Sequence, residues 1–92
     1  MNINVRKIFD WNIVDVSQPV PVYSVMPMGN RKLAGYTVAL TYRHHGTTSK
    51  FFDADSERLW MLYPDGPLGA AREYYEQVLQ RMMLQSLKEK TL

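Results

Sequence analysis

Two adjacent histidines, His44 and His45, are the residues of this 92-residue chain that most readily suggest chemistry. A catalytic zinc site typically uses three protein ligands, often two histidines and a carboxylate or a third nitrogen. Asp53, Asp55 or Glu57 could complete such a site, which would give a metal-dependent hydrolase. The chain has only two histidines, however, and neighbouring strand residues point to opposite faces. We therefore predict no metal site and keep the hydrolase as an alternative.

Hydroxyl side chains follow the histidines at Thr47, Thr48 and Ser49. Nucleophilic catalysis would need one of them beside a base and an orienting acid, gathered in a pocket. The sequence shows no nucleophile elbow and no phosphate-binding glycine loop. The segment DADSER (53–58) lacks the glycine and the glutamate that a calcium loop places at its sixth and twelfth positions. The sequence therefore predicts a protein that is not an enzyme and uses no cofactor.

Basic residues interleaved with aromatic ones favour binding. Residues 1–50 hold six Lys and Arg against two carboxylates, whereas residues 51–92 hold five against seven. Such asymmetry predicts a positive face suited to phosphate or to an acidic protein surface, unless these are merely solvated charges on hairpin loops. A tyrosine beside the cations could stack on a base, with the alternative that the tyrosines simply belong to the core. The predicted contact residues are Arg31, Lys32, Tyr42, Arg43, His44, His45 and Lys50.

The composition also indicates where such a protein would act. The chain has no cysteine, so it has no disulfide, which fits a reducing cytoplasm. The amino terminus lacks the apolar run and the cleavage site of a signal peptide. No stretch reaches the ~18 apolar residues that a membrane span needs. We therefore expect a soluble intracellular domain without a membrane partner.

The first half of the predicted single domain (1–92) is rich in strand patterns and ends near residue 53. YTVALTYR (36–43) alternates, which predicts a strand with one core face and one outer face. A turn over HGTTS (45–49) and a short strand KFF should follow it. The expected preceding elements are a first strand or a bent edge segment in IFDWNIVDV, and an edge strand or a partly extended arm in the proline-containing VPVYSVMPM. A seven-residue loop GNRKLAG (29–35) should follow them.

The second half, residues 54–92, has helical periodicity. Pro67 suits the first turn of a helix that should run to about residue 88. Its predicted apolar stripe comprises Leu68, Ala71, Tyr75, Val78, Leu79, Met82 and Met83. Residues 55–63 are expected to form a short helix capped by Asp53 or Asp55, with a strand as the alternative. The predicted fold is α+β, a small antiparallel sheet packed on one long C-terminal helix.

The end of the long helix is predicted to project. A helix from 67 to 88 is ~33 Å long, whereas a strand of typical length spans ~17–20 Å. Met82, Met83, Leu84 and Leu87 would then be partly uncovered, as at a surface for a partner or for weak pairing with a second copy. The alternative is that IFDW or RLWMLY folds under this end.

The stretches MNINVRKIFDWN, GYTVALTYRHHGTTSK and AREYYEQVLQRMMLQSLKEKTL, with the length of the chain, resemble a phage-encoded anti-CRISPR protein. More narrowly, the chain is similar to inhibitors of the type I-F crRNA-guided surveillance complex. The resemblance implies a non-enzymatic inhibitor in the host bacterial cytoplasm. It would bind complex subunits and guide RNA and stop target DNA from pairing with the guide.

Some inhibitors of this functional group imitate DNA with dense negative charge, whereas this chain has a net charge of +2. A wedge is therefore expected, with cations near guide phosphates or acidic protein and apolar residues against protein subunits. A small nucleic-acid-binding regulator from a mobile element is the alternative function.

Overall fold

The sheet is built around one long strand. The computed structural model describes the backbone of residues 13–90 and the side chains of residues 13–87. In this part of the chain four strands form an antiparallel sheet, and a short and a long helix follow. The elements are β1 (Ile13–Val16), β2 (Val20–Val25), β3 (Arg31–Tyr42), β4 (Gly46–Asp53), α1 (Glu57–Leu62) and α2 (Pro67–Lys90). The predicted α+β fold is confirmed, with the sheet packed on a long C-terminal helix.

β1 and β2 lie end to end along one edge of β3, and β4 pairs with the other edge. Ser17 maintains the ladder at the break between them. Its N–H donates to the Ala39 carbonyl at 2.8 Å, and its Oγ accepts from the Ala39 N–H at 2.9 Å. Pro21 lies on the outer strand, where a missing N–H is tolerated. The predicted edge strand is therefore confirmed, and predicted first-strand residues 8–12 lie outside the described residues.

The alternation of β3 selects the face that α2 covers. Val38 is fully buried, Leu40 is 6% exposed, and Tyr36 and Tyr42 pack against them. This confirms the predicted core face. Phe52 of β4 pairs with Tyr36 and is buried on the same face. The buried core residues are Ile13, Val16, Val38, Leu40, Phe52, Ala70, Ala71 and Val78.

The predicted loops are longer than the observed ones. The turn after β3 comprises only residues 43–45, because Gly46 takes the left-handed φ of +79° and then pairs with Tyr42. The prediction of a turn over 45–49 is therefore wrong. The predicted loop 29–35 is also wrong. The 3-10 turn Pro27–Gly29 is followed by β3 from Arg31 onward.

The segment 55–63 contains a short helix, Glu57–Leu62, as predicted, but its predicted cap is wrong. Ser56 is the N-cap, and its Oγ accepts from the Leu59 N–H at 3.4 Å. Asp53 Oδ1 instead accepts from the Asp55 N–H at 2.8 Å, which forms a turn before the helix. Tyr63 then adopts an extended conformation, as a residue before a proline commonly does.

The long helix α2 and the long strand β3 have similar lengths, but they are displaced along each other. β3 has 12 residues and α2 has 24, so each is about 36 Å long. α2 packs on β1, on β4 and on the part of β3 that contains Val38 and Leu40. The prediction assumed a strand of typical length and is wrong on this point, because the 12 residues of β3 are about twice that typical length. Each element extends past the other at one end.

The uncovered ends carry apolar side chains. Met83, Leu84 and Leu87 of α2 are each more than half exposed, as predicted. At the other end, Val25 is 81% and Met28 98% exposed. RLWMLY does not fold beneath the end of α2, since Tyr63 packs near its start, against Gly69. IFDW lies outside the described residues. None of the described helices is both long enough and apolar enough to cross a membrane.

Candidate functional site

The turn between β3 and β4 holds three of the predicted contact residues. Arg43, His44 and His45 occupy consecutive positions there, and all three are exposed. Tyr42, the last residue of β3, is half-buried and packs against the core. The tyrosine therefore helps to anchor the strand that presents the three basic residues.

Arg31 and Lys32 lie at the opposite end of β3. At ~3.3 Å per residue, about 36 Å of strand separates Arg31 from Tyr42. Lys32 Nζ lies 3.6 Å from Asp55 Oδ1 in an ion pair whose partners are both mostly exposed. Such pairs contribute at most about 1 kcal/mol. The pair still reduces the positive potential that Lys32 would otherwise add at this end.

Lys50 is placed differently from the other five basic residues. It pairs with Val38 in the ladder, so its side chain leaves β4 on the face that α2 covers. Its Nζ lies 4.6 Å from the centre of the Tyr74 ring and 5.5 Å from that of Phe52. The structure thus arranges the predicted contact residues in three places and does not bring them together into one patch.

A groove of about 310 Å³ opens beside Lys50, between β4, α1 and α2. Its apolar walls include Phe52, Leu59 and Ala70, two of which belong to the buried core. Lys50 and Arg58 bring two cations to it. The full lining is Lys50, Phe52, Arg58, Leu59, Leu62, Tyr63, Ala70, Glu73, Tyr74 and Gln77. The groove could hold a small apolar group next to an anion.

Glu73 is the carboxylate of this groove, and it already has partners. The Tyr63 hydroxyl donates to it, and Gln77 Nε2 donates to Glu73 Oε1 at 3.4 Å. Hydrogen bonding to Glu73, then burial, then the charge of Glu73 raise the pKa of Tyr63 above its ordinary value of 10.0. The phenol therefore holds its proton to a higher pH than a free tyrosine does.

Sequence reasoning identified Lys50 but missed the residues around it. Tyr74 is 24 positions away and reaches Lys50 only because α2 crosses the sheet. The i, i+4 spacing of Glu73 and Gln77 places both on one face of the helix, but such a spacing does not predict a groove. Only the packing of α1 against α2 places Arg58 in the same site.

The histidines do not gather ligands in the described part of the chain. Across residues 13–87, no group of three or more His, Asp or Glu residues is close enough to hold a metal ion. Comparison of the chain with protein-family models, with curated proteins and with solved structures finds no match in any of the three.

Proposed function

We propose that the protein is a non-enzymatic inhibitor of the type I-F CRISPR surveillance complex. It would bind this ribonucleoprotein in the host bacterial cytoplasm and block hybridisation of target DNA to the guide RNA. The sequence resemblance described above supplies the identity of the complex. The geometry supplies a separate argument that the partner is a large assembly rather than a small molecule.

The observation that carries the proposal is the distribution of charge along β3. Arg31 and Lys32 lie at one end of the strand, and Arg43, His44 and His45 follow its other end, about 36 Å away. A small ligand cannot contact both ends. An extended guide RNA, or a row of protein subunits, can contact both at once. Contacts of this kind with RNA phosphates are independent of sequence and weaken as salt increases.

The projecting end of α2 would contribute the apolar part of the contact. Met83, Leu84 and Leu87 form a group of exposed side chains on its last turns. Methionine adapts to irregular surfaces with little loss of packing. The protein would thus act as a wedge, with cations at the sheet and apolar residues at the helix. Inhibition by a wedge needs only slow dissociation compared with the arrival of target DNA.

The test is affinity capture of the tagged chain from bacteria that carry an active type I-F system. We expect guide RNA and the complex subunits in the eluate, identified by RNA sequencing and mass spectrometry. Recovery of neither component from cells that contain the assembled complex would contradict the proposal. Recovery of unrelated DNA or RNA would indicate the nucleic-acid-binding regulator instead.

A double variant tests whether the basic residues matter. Arg43→Glu with Lys50→Glu should abolish inhibition while the helical circular dichroism is retained. The matched control is Arg72→Glu with Arg81→Glu, which makes the same change in net charge on α2. Full inhibition by the first variant, or equal loss in both, would mean that these particular cations are not the contact.

A further inference from the structure

We propose that the groove between β4, α1 and α2 binds an acidic segment of a partner protein, with one apolar side chain inserted next to a carboxylate. The inference rests on the proposed function in one respect, since that function supplies a protein partner. The groove's preference for such a segment follows from its own walls and can be tested separately.

The size of the groove limits its occupant. Pockets for drug-sized ligands start at about 300 Å³, and this groove of about 310 Å³ is at that lower limit. It is open on one side and lined by Phe52, Leu59 and Ala70. One branched or aromatic side chain fits such a space, and the rest of its segment would remain outside. A bound segment would therefore anchor through a single residue.

The charges beside the groove favour an anion. Lys50 and Arg58 lie within ion-pair distance of no carboxylate in the described part of the chain. Glu73 is occupied by Tyr63 and Gln77. A carboxylate next to the inserted side chain would thus meet two cations without displacing an existing ion pair. Charge-assisted hydrogen bonds to such cations are stronger than those between neutral groups.

Two features favour a peptide over a nucleic acid in this groove. Single-stranded nucleic acids gain much of their affinity by stacking bases on aromatic rings. Here the Lys50 ammonium lies 4.6 Å from the centre of the Tyr74 ring, and Phe52 is only 8% exposed, so both rings already have cover. Glu73 would also repel the successive phosphates of a nucleic acid. A single carboxylate can be placed beside the cations and away from Glu73.

The experiment is a nuclear magnetic resonance titration of the ¹⁵N-labelled full chain with N-acetyl-Asp-Phe-Glu-amide. We expect amide shifts at Lys50, Leu59 and Ala70, and no comparable shifts at Arg43 in the distant turn. The neutral peptide N-acetyl-Asn-Phe-Gln-amide should bind about threefold to fivefold more weakly, because each exposed charge pair contributes a modest free energy. Absence of shifts in the groove, or equal binding of the neutral peptide, would overturn the proposal.

Substitutions test which cations bind the acidic peptide. Lys50→Met and Arg58→Met keep long side chains but remove the cations, so each should weaken acidic peptide binding about threefold. Arg43→Met removes a cation outside the groove and should leave binding unchanged. Circular dichroism verifies folding, and Arg58→Met alone suffices if loss of Lys50 disturbs the sheet. Equal affinity of all three variants would overturn the assignment.

A titration with tetra-uridylate tests whether the groove binds nucleic acid instead of an acidic peptide. If it shifted the groove amides at lower concentration than the acidic peptide, the groove would be a nucleic-acid site and the proposal would be overturned. The proposed function is tested by capture of the CRISPR complex from cells, to which the turn after β3 and the ends of β3 and α2 also contribute. If the peptide does not bind but the complex is captured, only the proposal for the groove is overturned. If the peptide binds but the complex is not captured, only the proposed inhibitor function is overturned.

Discussion

The centre of the molecule and its two ends use similar apolar residues in opposite ways. At the centre, Val38 and Val78 are 0% and 1% exposed, because α2 lies over β3 there. At the ends, Val25 is 81% and Leu84 58% exposed. The two regions differ in which element covers them rather than in composition. Because β3 and α2 are displaced along each other, apolar side chains at both ends remain exposed and do not join the core.

This difference bears on the proposed function. Contiguous exposed apolar patches commonly mark contact with a partner. Side chains that are mostly exposed also contribute little to the stability of the free protein. Stability should therefore depend on the centre, and inhibition should depend on the ends. Each of the following substitutions compares the centre of the molecule with its ends, or compares the groove with the turn between β3 and β4.

The largest expected effect comes from a matched pair of leucines. Leu40→Ala removes a side chain that is 6% exposed and should lower the free energy of unfolding by about 3 kcal/mol. Leu84→Ala removes one that is 58% exposed and should change it by less than about 0.5 kcal/mol. Urea denaturation monitored by circular dichroism measures both. A loss of several kcal/mol in Leu84→Ala would show that the projecting end is part of the core.

Two glycines with left-handed backbones give the next comparison. A Cβ at Gly66, where φ is +58°, would lie 2.5 Å from the Trp60 ring, whereas at Gly46, with φ of +79°, it would meet open space. Gly46→Ala should therefore cost about 1 kcal/mol for conformation alone. Gly66→Ala should cost about 2–3 kcal/mol, because Trp60 must also move and weaken its hydrogen bond to the Ala54 carbonyl.

The same urea experiment distinguishes the two glycines. Equal destabilisation would mean that the Trp60 ring moves aside freely. Backbone conformation alone would then explain the destabilisation of both variants. The packing between α1 and α2 would also be looser than its contacts indicate.

Much of the fold could be predicted because its signals are local. The alternation of 36–43 and the helical spacing after Pro67 depend on neighbours along the chain, and both were correct. The turn limits could not be predicted, since Gly46 closes the hairpin only when β4 is already in register. The cap of α1 was mistaken for a related reason. Asp53, Asp55 and Ser56 all cap well, and only Ser56 reaches the free N–H.

The candidate site was less predictable than the fold. The basic residues were visible in the sequence, but their separation depends on the length of β3, which was underestimated. The environment of Lys50 depends on Tyr74 and Arg58, which reach it through the crossing of α2 and the packing of α1. Contacts between distant segments leave no spacing pattern in one sequence.

A smaller effect separates Lys50 from Arg43 in the free protein. Lys50→Met removes the ammonium that lies near the Phe52 and Tyr74 rings and should lower stability by about 0.5 kcal/mol. Arg43→Met changes an exposed turn residue and should have no measurable effect. Thermal unfolding at low and high salt measures both variants. A larger loss of stability in Arg43→Met than in Lys50→Met would mean that Arg43, in the turn, contributes more to stability than Lys50.

The smallest expected effect is a pH dependence within the groove. The pKa of Tyr63 is raised above 10.0 in the folded protein by its hydrogen bond to Glu73, by burial and by the charge of Glu73. The stabilising contribution is therefore complete below pH 10.0 and is lost as pH rises through the folded-state pKa, because the unfolded chain releases the proton first.

Tyr63→Phe lacks this proton, so the stability difference between wild type and variant should decrease between pH 9 and pH 11. Lysines titrate in the same range, but they do so in both proteins and cancel in the difference. Urea midpoints at the two pH values provide the measurement. A difference that stays constant would mean that the Tyr63 hydroxyl does not donate to Glu73 in solution. The groove would then contain a free carboxylate, and its preference for an acidic segment would be weakened.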